Sequence, residues 1–330
     1  MSVTTRQWPS LEEVMPEIEG VVREHNDFLC VAHKDADADS LGSALAFALS
    51  LRVQGKNARA MAPPPAPRLL EYLPGFDTLV DELPEHAAVF TFDTPTTARF
   101  GERRDLVESA DVVVNVDHHV SNEGFGRVNL VVPDASATGH VVFRVLRALD
   151  APITPEVATN LYAALFTDTG GFRHENTNES VLRLGADLVA LGANPGWVAL
   201  KSYKSKSESR VRLEGLAIAR MRTELDGRLV WSEITQGMLS EAGAAMEESE
   251  GVIDQLQSID TMRVAVLLKE QEGRTKLSVR TRDPYDATEL CTRFGGGGHH
   301  RAAGAEIAAP LDDARERVLD VARGMLTHPA

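Results

Sequence analysis

The sequence predicts an α/β protein of two domains: an N-terminal domain built on a doubly wound, mostly parallel sheet, and a smaller C-terminal α/β domain. Three observations lead to this prediction. The chain has 330 residues, which is more than one hydrophobic core usually holds. Apolar strand-like runs alternate with helix-like segments in the N-terminal half. A basic, serine-rich segment then separates that half from further strand-like runs around a glycine-rich loop.

The elements of the N-terminal domain follow the order that a parallel sheet requires. The apolar runs have the length of strands, and the segments between them repeat apolar residues every three or four positions, as helices do. The predicted strands are 28–32, 58–62, 87–92 and 112–116, and the predicted helices are 41–54, 97–107, 138–149, 155–166 and 179–191. Such a sheet places its ligands at the carboxyl ends of its strands.

The composition changes after residue 191, and residues 201–222 carry seven basic and two acidic side chains. We therefore expect a domain at 1–195, a connector at 196–215 and a second domain at 216–330. Within the second domain, strands are predicted at 229–233, 264–268 and 277–281, and an amphipathic helix is predicted at 311–325.

The charge of the chain is acidic and unevenly distributed. The net charge is -15, of which residues 1–200 carry -13 and residues 201–330 carry -2. An acidic N-terminal domain argues against wrapping of long nucleic acid, because that mode of binding needs many cationic contacts with phosphates. A small anionic substrate held by metal ions remains compatible with this charge.

The sequence lacks the usual signs of export or membrane insertion. Residues 1–20 do not have the basic and then apolar pattern of a signal peptide, and no run approaches the roughly 20 apolar residues of a membrane span. The two cysteines, Cys30 and Cys291, indicate neither a disulfide framework nor a zinc cluster. We expect a cytoplasmic protein without a membrane partner.

A dense group of metal-binding side chains follows the first predicted strand. His33, Asp35, Asp37 and Asp39 lie within seven residues, between an apolar run and a helix. These side chains would repel one another and stay hydrated without cations among them, so we predict a metal site. Carboxylate oxygens with one imidazole suit Mn²⁺ or Mg²⁺ best, although the same ligands also bind Zn²⁺. An ordinary acidic turn is the alternative.

Similar groups follow the later strands. Asp93 comes after the strand at 87–92, and Asp117, His118 and His119 come after the strand at 112–116. An aspartate at the end of one strand often only caps a turn. Three such groups, each directly after an apolar strand, point to one shared site. Asp168, which begins an Asp-Thr-Gly-Gly sequence after the helix at 155–166, adds a further carboxylate.

The order of these groups resembles the DHH phosphoesterase superfamily with its DHH-associated C-terminal domain, and the resemblance covers nearly the whole chain. The matching positions are His33, Asp37, Asp39, Gly42 and Ser43 in the first motif, then Asp93, the Asp117-His118-His119 motif, Asn122, residues 136–138 and Asp168, and finally Gly296, Gly297, Gly298, His299, Ala302, Ala303 and Gly304. One departure is local. Ala36 and Ala38 stand where the family often has Pro and Gly beside the first aspartate.

The resemblance implies a binuclear metal centre with an assigned role for each residue. His33 and Asp37 would bind one cation, Asp93 would bridge both, and the second cation would be bound by Asp39, His118 and Asp168. Asp117 would orient an imidazole, and His119 would contact or help to protonate the phosphate. His118, His119 and Asp117 are thus the expected catalytic group. The expected cofactors are two divalent cations, Mn²⁺ first, with Mg²⁺ or Co²⁺ as alternatives.

The glycine-rich loop of the second domain is the predicted substrate-binding element. Glycine lets backbone amides approach a phosphate closely, and a flexible linker is the alternative reading of such a run. The resemblance assigns the loop to substrate capture. The predicted substrate-binding residues are Arg280, Gly296, Gly297, Gly298, His299 and Arg301. Arginine suits this role because its planar guanidinium can bind a phosphate through two N–H groups.

The branch that the sequence resembles contains oligoribonucleases that are also 3'-phosphoadenosine 5'-phosphate phosphatases, with cyclic-dinucleotide phosphodiesterases close by. The expected substrates are therefore short RNA or DNA oligonucleotides, linear dinucleotides such as pApA, and nucleotides, bound in a cleft between the domains. The alternatives are a cyclic di-AMP phosphodiesterase, a single-strand exonuclease like RecJ, and a nucleotide sensor that does not hydrolyse its ligand. A homodimer is compatible with the sequence.

Overall fold

The computed structural model describes residues 7–82 and 86–327, which form two compact units that divide between Ser205 and Lys206. Each unit is built on its own β-sheet, five-stranded in the first and six-stranded in the second. The α/β class predicted for both domains is confirmed. The outer domain limits predicted at residues 1 and 330 lie outside the described residues.

The first unit contains the predicted parallel sheet. Its strands are β1 (Asp27–Val31), β2 (Asn57–Met61), β3 (Ala88–Phe92), β4 (Val113–Asp117) and β5 (Val128–Val131). They pair in the order β2-β1-β3-β4-β5, and every pair is parallel. Four of these strands match predicted ones. The edge strand β5 was not predicted, because its four residues form a shorter apolar run than the others.

Helices cover this sheet. They are α1 (Leu11–Glu24), α2 (Ala38–Val53), α3 (Arg104–Glu108), α4 (Thr138–Ala148), α5 (Pro155–Asp168), α6 (Glu179–Ala190) and α7 (Pro195–Ala199). The unpredicted helix α1 begins at a capping box in which Ser10 and Glu13 bind each other's backbone N–H. The helix predicted at 97–107 is instead a 3₁₀ segment, Thr97–Arg103, followed by α3, because Gly101 has φ 55° and ψ -128°.

The glycine of the first motif is required by the contact between α2 and α5. A Cβ added to Gly42 would lie 2.8 Å from the backbone oxygen of Asn160 in α5. Gly139 in α4 is crowded in the same way, with its added Cβ 2.5 Å from the Cβ of Ala164. These two glycines bring α2, α4 and α5 close together, and the polar ends of the same helices hold part of the site described below.

Replacement of Gly42 with alanine should therefore destabilise the first unit. The added methyl group has no free space, and overpacking of this kind typically costs about 1–3 kcal/mol. Gly20→Ala in α1 is the matched control, since nothing lies within 4 Å of a Cβ added there, and it should leave stability unchanged or raise it by up to about 1 kcal/mol. The measurement is the midpoint of chemical denaturation; equal midpoints for the two variants would contradict this account of Gly42.

The second unit contains a mixed sheet. Its strands are β6 (Arg222–Glu224), β7 (Leu229–Ile234), β8 (Val264–Gln271), β9 (Arg274–Thr281), β10 (Gly297–His299) and β11 (Ala302–Ile307), and its helices are α8 (Glu208–Ala219), α9 (Gln236–Ala242), α10 (Val252–Gln257), α11 (Ala287–Thr292) and α12 (Leu311–Thr327). The strand order is β10-β11-β9-β8-β7-β6. The strands predicted at 229–233, 264–268 and 277–281 correspond to β7, β8 and β9, and the helix predicted at 311–325 is α12.

Each face of this second sheet is buried. Side chains of β8 alternate between the two faces: Val266 packs in a core with α11 and α12, and Leu267 packs in a core with α8, α9 and α10. Helix α8 begins at Glu208, within the range predicted for the connector, and its Leu213 is fully buried in the second of these cores. Among the described residues, no helix is both long and apolar enough to cross a membrane.

Candidate metal centre and substrate-binding residues

The metal-binding side chains lie where the strand order of the first sheet reverses. β1 and β3 are neighbours although the chain forms β2 between them, and the carboxyl ends of such a strand pair are the usual ligand site of doubly wound sheets. His33 follows β1 and Asp93 follows β3, so both side chains come to this edge. The Nε2 atom of His33 is 3.5 Å from Oδ2 of Asp93 and 3.8 Å from Oδ2 of Asp37.

A second group lies beside the first. The Nε2 atom of His118 is 3.8 Å from Oδ2 of Asp39, 3.8 Å from Oδ2 of Asp168 and 3.3 Å from Oδ1 of Asp93. In each of the sets His33–Asp37–Asp93 and Asp39–His118–Asp168, one potential ligand atom per residue lies within 4.8 Å of the others. The structure thus brings together all six residues that the sequence predicted as ligands, with Asp93 next to both histidines.

Backbone groups hold these side chains in place. The carboxylate of Asp39 accepts hydrogen bonds from the backbone N–H groups of Thr138 (2.7 Å) and Gly139 (2.8 Å), at the N-terminus of α4. The Nδ1 atom of His33 is 2.8 Å from its neighbour's carbonyl oxygen, and the Nδ1 atom of His118 is 3.0 Å from the carbonyl oxygen of Ala135. Because a carbonyl oxygen can only accept a hydrogen bond, Nδ1 carries the proton in each neutral ring, and Nε2 is the atom that could bind a cation.

Asp117 is a buried acceptor for four donors. Its carboxylate accepts from the backbone N–H groups of His118 (2.7 Å) and His119 (3.2 Å), from the ring Nδ1 of His119 (2.8 Å) and from the side-chain amide of Asn122 (2.6 Å). This arrangement fixes the His119 ring, whose Nδ1 is also 3.6 Å from Asp93. The orienting role predicted for Asp117 fits these contacts.

The electrostatics of the cluster indicate a shortage of positive charge. Burial, reinforced by the charges of Asp93 and Asp168, raises the pKa of Asp39 well above its usual value. Burial also raises the pKa of Asp168 to about 6. Burial opposes the charged forms of Asp93 and His118 as well, but their mutual attraction and the other neighbouring charges lower the pKa of Asp93 and raise the pKa of His118. Divalent cations could supply this positive charge and replace the protons on Asp39, Asp168 and His118, because metal ligands bind in their deprotonated forms.

Some partners in this site had no signal in the sequence. The Thr138 hydroxyl donates to Oδ1 of Asp93 at 2.8 Å, and the contact could be suspected only from the resemblance at residues 136–138. The carbonyl groups that orient the two imidazoles, and the N–H groups that bind Asp39, belong to the backbone. Such groups are present at nearly every position, so side-chain patterns cannot reveal which ones serve the site.

Comparisons with known proteins agree with this geometry. Residues 27–165 match the DHH family, N-terminal domain, and residues 227–327 match the DHHA1 domain. The chain is 31% identical over 98% of its length to a bifunctional oligoribonuclease and PAP phosphatase, NrnA, from Thermus thermophilus, and covers 96% of that protein. The chain belongs to the DHH phosphoesterase family. The family resemblance predicted from the motifs is thereby confirmed.

Other members and solved structures support the family and the fold. An NrnA from Bacillus subtilis with the same description is 24% identical over 83% of this chain and 87% of its own length. The crystal structure of an exopolyphosphatase-related protein from Bacteroides fragilis is 24% identical, with a TM-score of 0.87 covering 98% of this chain and 100% of that one. A Thermus thermophilus RecJ structure in complex with Mn²⁺ is 16% identical, with a TM-score of 0.54 over 97% of this chain and 56% of its own.

In this DHH-family chain, strand pairing in the second unit aligns two of the predicted substrate-binding residues. His299 of β10 pairs with Ala302 of β11, and Ala302 pairs with Arg280 of β9. Residues paired across neighbouring strands project from the same face of a sheet. His299 and Arg280 therefore lie in one row, separated by the small side chain of Ala302.

The three predicted glycines of the loop differ in how much space surrounds them. A Cβ added to Gly296 would collide with the backbone of Gly304, and one added to Gly298, where φ is 141°, would lie 2.6 Å from the backbone oxygen of Ala302. These two glycines are required by the packing of β10 against β11. Gly297 has nothing within 4 Å of an added Cβ, so of the three predicted glycines only Gly297 borders open space.

Arg301 is engaged within its own unit. Its guanidinium forms an ion pair with Asp283, and its Nη1 donates to the carbonyl oxygen of Tyr285 at 3.3 Å. The residue lies in the turn between β10 and β11, outside the row of His299 and Arg280. A contact of Arg301 with substrate stays a prediction.

Proposed function

We propose that this phosphoesterase hydrolyses short oligonucleotides, including linear dinucleotides such as pApA, to mononucleotides and removes the 3'-phosphate of 3'-phosphoadenosine 5'-phosphate. The observation that carries the proposal is the arrangement of the six potential ligands in two sets with Asp93 between His33 and His118. The relatives described as bifunctional oligoribonucleases and PAP phosphatases support the choice of substrates.

Each residue of the site has its own role in the proposed reaction. His33, Asp37 and Asp93 would hold one cation, and Asp39, His118 and Asp168, again with Asp93, would hold the second. Two divalent cations bound in this way supply an activated water and neutralise charge on phosphoryl oxygens. The ring of His119, fixed through Nδ1 by Asp117, would contact the phosphate through its other nitrogen and help to protonate the leaving oxygen.

Mn²⁺ is the cation we propose for both positions. Four carboxylates with two imidazoles form a hard, oxygen-rich ligand set that suits Mn²⁺ better than a metal that prefers sulfur. The RecJ structure that shares the fold was solved in complex with Mn²⁺. In the second unit, we propose that His299, Arg280 and the backbone at Gly297 bind a phosphate or base of the substrate; a cleft between the domains stays a prediction.

The pKa of Asp168 leads to a test of metal binding. Between the ordinary value of 3.8 and about 6, folded Asp168 retains a proton that the unfolded chain has lost. The free energy of unfolding of the metal-free protein therefore falls as the pH rises from 3.8 to about 6. Above about pH 6 the destabilisation by the ionised Asp168 carboxylate has its full value. Bound Mn²⁺ relieves this destabilisation, so Mn²⁺ should raise Tm more at pH 7.5 than at pH 5.

Scanning calorimetry with and without Mn²⁺ at both pH values measures this difference. Asp168→Asn has no carboxylate to titrate, so the difference between the two pH values should shrink in that variant. A Tm shift that is as large at pH 5 as at pH 7.5 in the parent protein would contradict the assignment of Asp168 to the metal centre.

A panel of substrates tests the proposed activity. With Mn²⁺, chains of about two to five nucleotides should be cleaved at least about tenfold faster than a chain of about 20, because the acidic first unit disfavours a long phosphate backbone. The measurement is kcat/KM, with products resolved by length. The panel also includes 3'-phosphoadenosine 5'-phosphate and cyclic di-AMP.

Each alternative function has its own outcome in this panel. Equal or faster cleavage of the long chain would favour a RecJ-like exonuclease over the proposed function. Preferred cleavage of cyclic di-AMP would identify a cyclic-dinucleotide phosphodiesterase. Binding of dinucleotides without turnover, in protein that retains its metal, would identify a nucleotide sensor.

A further inference from the structure

A short basic segment with two exposed aromatic rings lies at the end of the first unit. Residues 195–205 contain Trp197, Lys201, Tyr203 and Lys204 and have no carboxylate, although residues 1–200 carry a net charge of -13. Residues Leu200–Lys204 form a π-helical turn. Turns of this kind are rare and frequently occur at functional sites.

Each of the two rings is paired with a cation. Trp197 is 41% exposed, and Nζ of Lys201 lies 4.6 Å from the centroid of its ring. Tyr203 is 38% exposed, and Cζ of Arg173 lies 5.3 Å from the centroid of its ring. We call these four side chains, Trp197, Lys201, Tyr203 and Arg173, the aromatic–basic platform.

Contacts with the first unit hold the platform in position. The indole N–H of Trp197 donates to the carbonyl oxygen of Tyr72 at 3.4 Å, and the hydroxyl group of Tyr72 is 3.1 Å from that of Ser202. The ring of Tyr203 packs edge-on against Phe166, with the centroids 5.5 Å apart. Rings that are already ordered lose little entropy when a ligand stacks on them.

The platform adjoins the proposed metal centre. Phe166 and Arg173 flank Asp168 in the sequence, and a Cβ added to Gly171 would lie 3.5 Å from the ring of Tyr203. The ring of Tyr203 therefore contacts residues on both sides of Asp168 in the sequence.

We propose that the aromatic–basic platform binds a nucleobase next to the scissile phosphate, with the base stacked on Trp197 or Tyr203 and a neighbouring phosphate contacted by Lys201 or Arg173. Aromatic rings combined with cations are the usual means of binding single-stranded nucleic acid without reading its sequence. A segment that carries lysines and no carboxylate within an acidic unit favours a phosphate-bearing ligand over an apolar protein partner. The inference rests on the proposed function and adds a subsite to it.

Equilibrium binding tests the platform separately from turnover. The probe is a labelled, phosphorothioate-linked oligoadenylate of five nucleotides, compared with the same backbone carrying abasic sites, both in Mn²⁺. Trp197→Ala should weaken binding of the oligoadenylate about tenfold, within the range measured for loss of one stacked base, and should leave the abasic chain unaffected. Trp197→Phe should retain most of the affinity because it keeps a ring.

Two further variants complete the design. Lys201→Ala should weaken binding of both chains and reduce its dependence on salt, since it removes a phosphate contact. Leu182→Ala in α6, where the side chain is 54% exposed, is the control and should bind both chains like the parent. Tm values confirm that the variants are folded.

The outcomes separate this inference from the proposed function. Tyr203→Ala is measured in the same way, and the platform is overturned if neither ring variant weakens binding of the oligoadenylate more than binding of the abasic chain. Failure of the parent protein to hydrolyse unmodified pApA would overturn the proposed function and would leave the binding result to decide the platform.

Discussion

Replacement of Asp93 with alanine should abolish turnover and lower the metal content of the protein. Asp93 is 3% exposed and is the only one of the six proposed ligands that lies within 3.5 Å of both His33 and His118. Its removal takes one negative charge from both proposed cation positions, so two cations would face each other with less neutralisation. Removal of a residue that hydrogen-bonds to a metal ligand typically lowers metal affinity or activity about 10- to 100-fold. Removal of a ligand shared by both cations should lower them further.

The measurement combines kcat/KM for pApA with metal analysis of the purified variant. Asp35→Asn is the matched control, because Asp35 is an exposed aspartate of the same loop outside both ligand sets. Asparagine tolerates the positive φ of 55° at this position, so this variant should keep parent-like activity and metal content. Near-normal activity of Asp93→Ala with its metals retained would refute the binuclear assignment.

Replacement of Asp117 with alanine should lower both activity and stability. Four donors lose their acceptor in a fully buried site, and each unsatisfied buried donor costs about 1–3 kcal/mol where water cannot replace the carboxylate. The His119 ring also loses the contact that orients it. We expect kcat to fall by about 10- to 100-fold, the usual effect of removing an orienting partner.

Asn122→Ala separates the two effects. It removes only one of the four donors to Asp117 and leaves the contact between Asp117 and His119 in place. Its stability should fall while its kcat falls much less than that of Asp117→Ala. Denaturation midpoints and kcat are measured for both variants, and equal losses of kcat would mean that Asp117 does not act through His119.

The sequence was informative where function depends on side chains at strand ends. The apolar strands β1, β3 and β4 each run directly into charged groups, and the sheet topology then brings His33, Asp93 and His118 together. The sequence was less informative where conformation depends on a single residue. Gly101 divides the segment predicted as one helix, and residues 97–107 have enough apolar character to hide this break.

The glycine-rich loop also shows where the sequence is less informative than the structure. The run at residues 295–298 indicated close approach of a ligand, but two of its members are required by the packing of β10 against β11. A glycine needed for a ligand and a glycine needed for a neighbouring strand look identical in sequence, because only the contacts around the missing Cβ distinguish them. The platform residues Trp197 and Tyr203 were missed for a related reason: isolated aromatic residues usually belong to the core.

The spread of the proposed ligands along the chain determines when the metal centre can form during synthesis. The first ligand is His33 and the last is Asp168, which ends helix α5. At about 5–20 residues per second, translation of the intervening chain takes roughly 7–27 seconds. Throughout that interval the chain lacks the carboxylate of Asp168, although all five strands of the first sheet precede this residue. We therefore expect the proposed metal centre to be completed only after helix α5 has been synthesised.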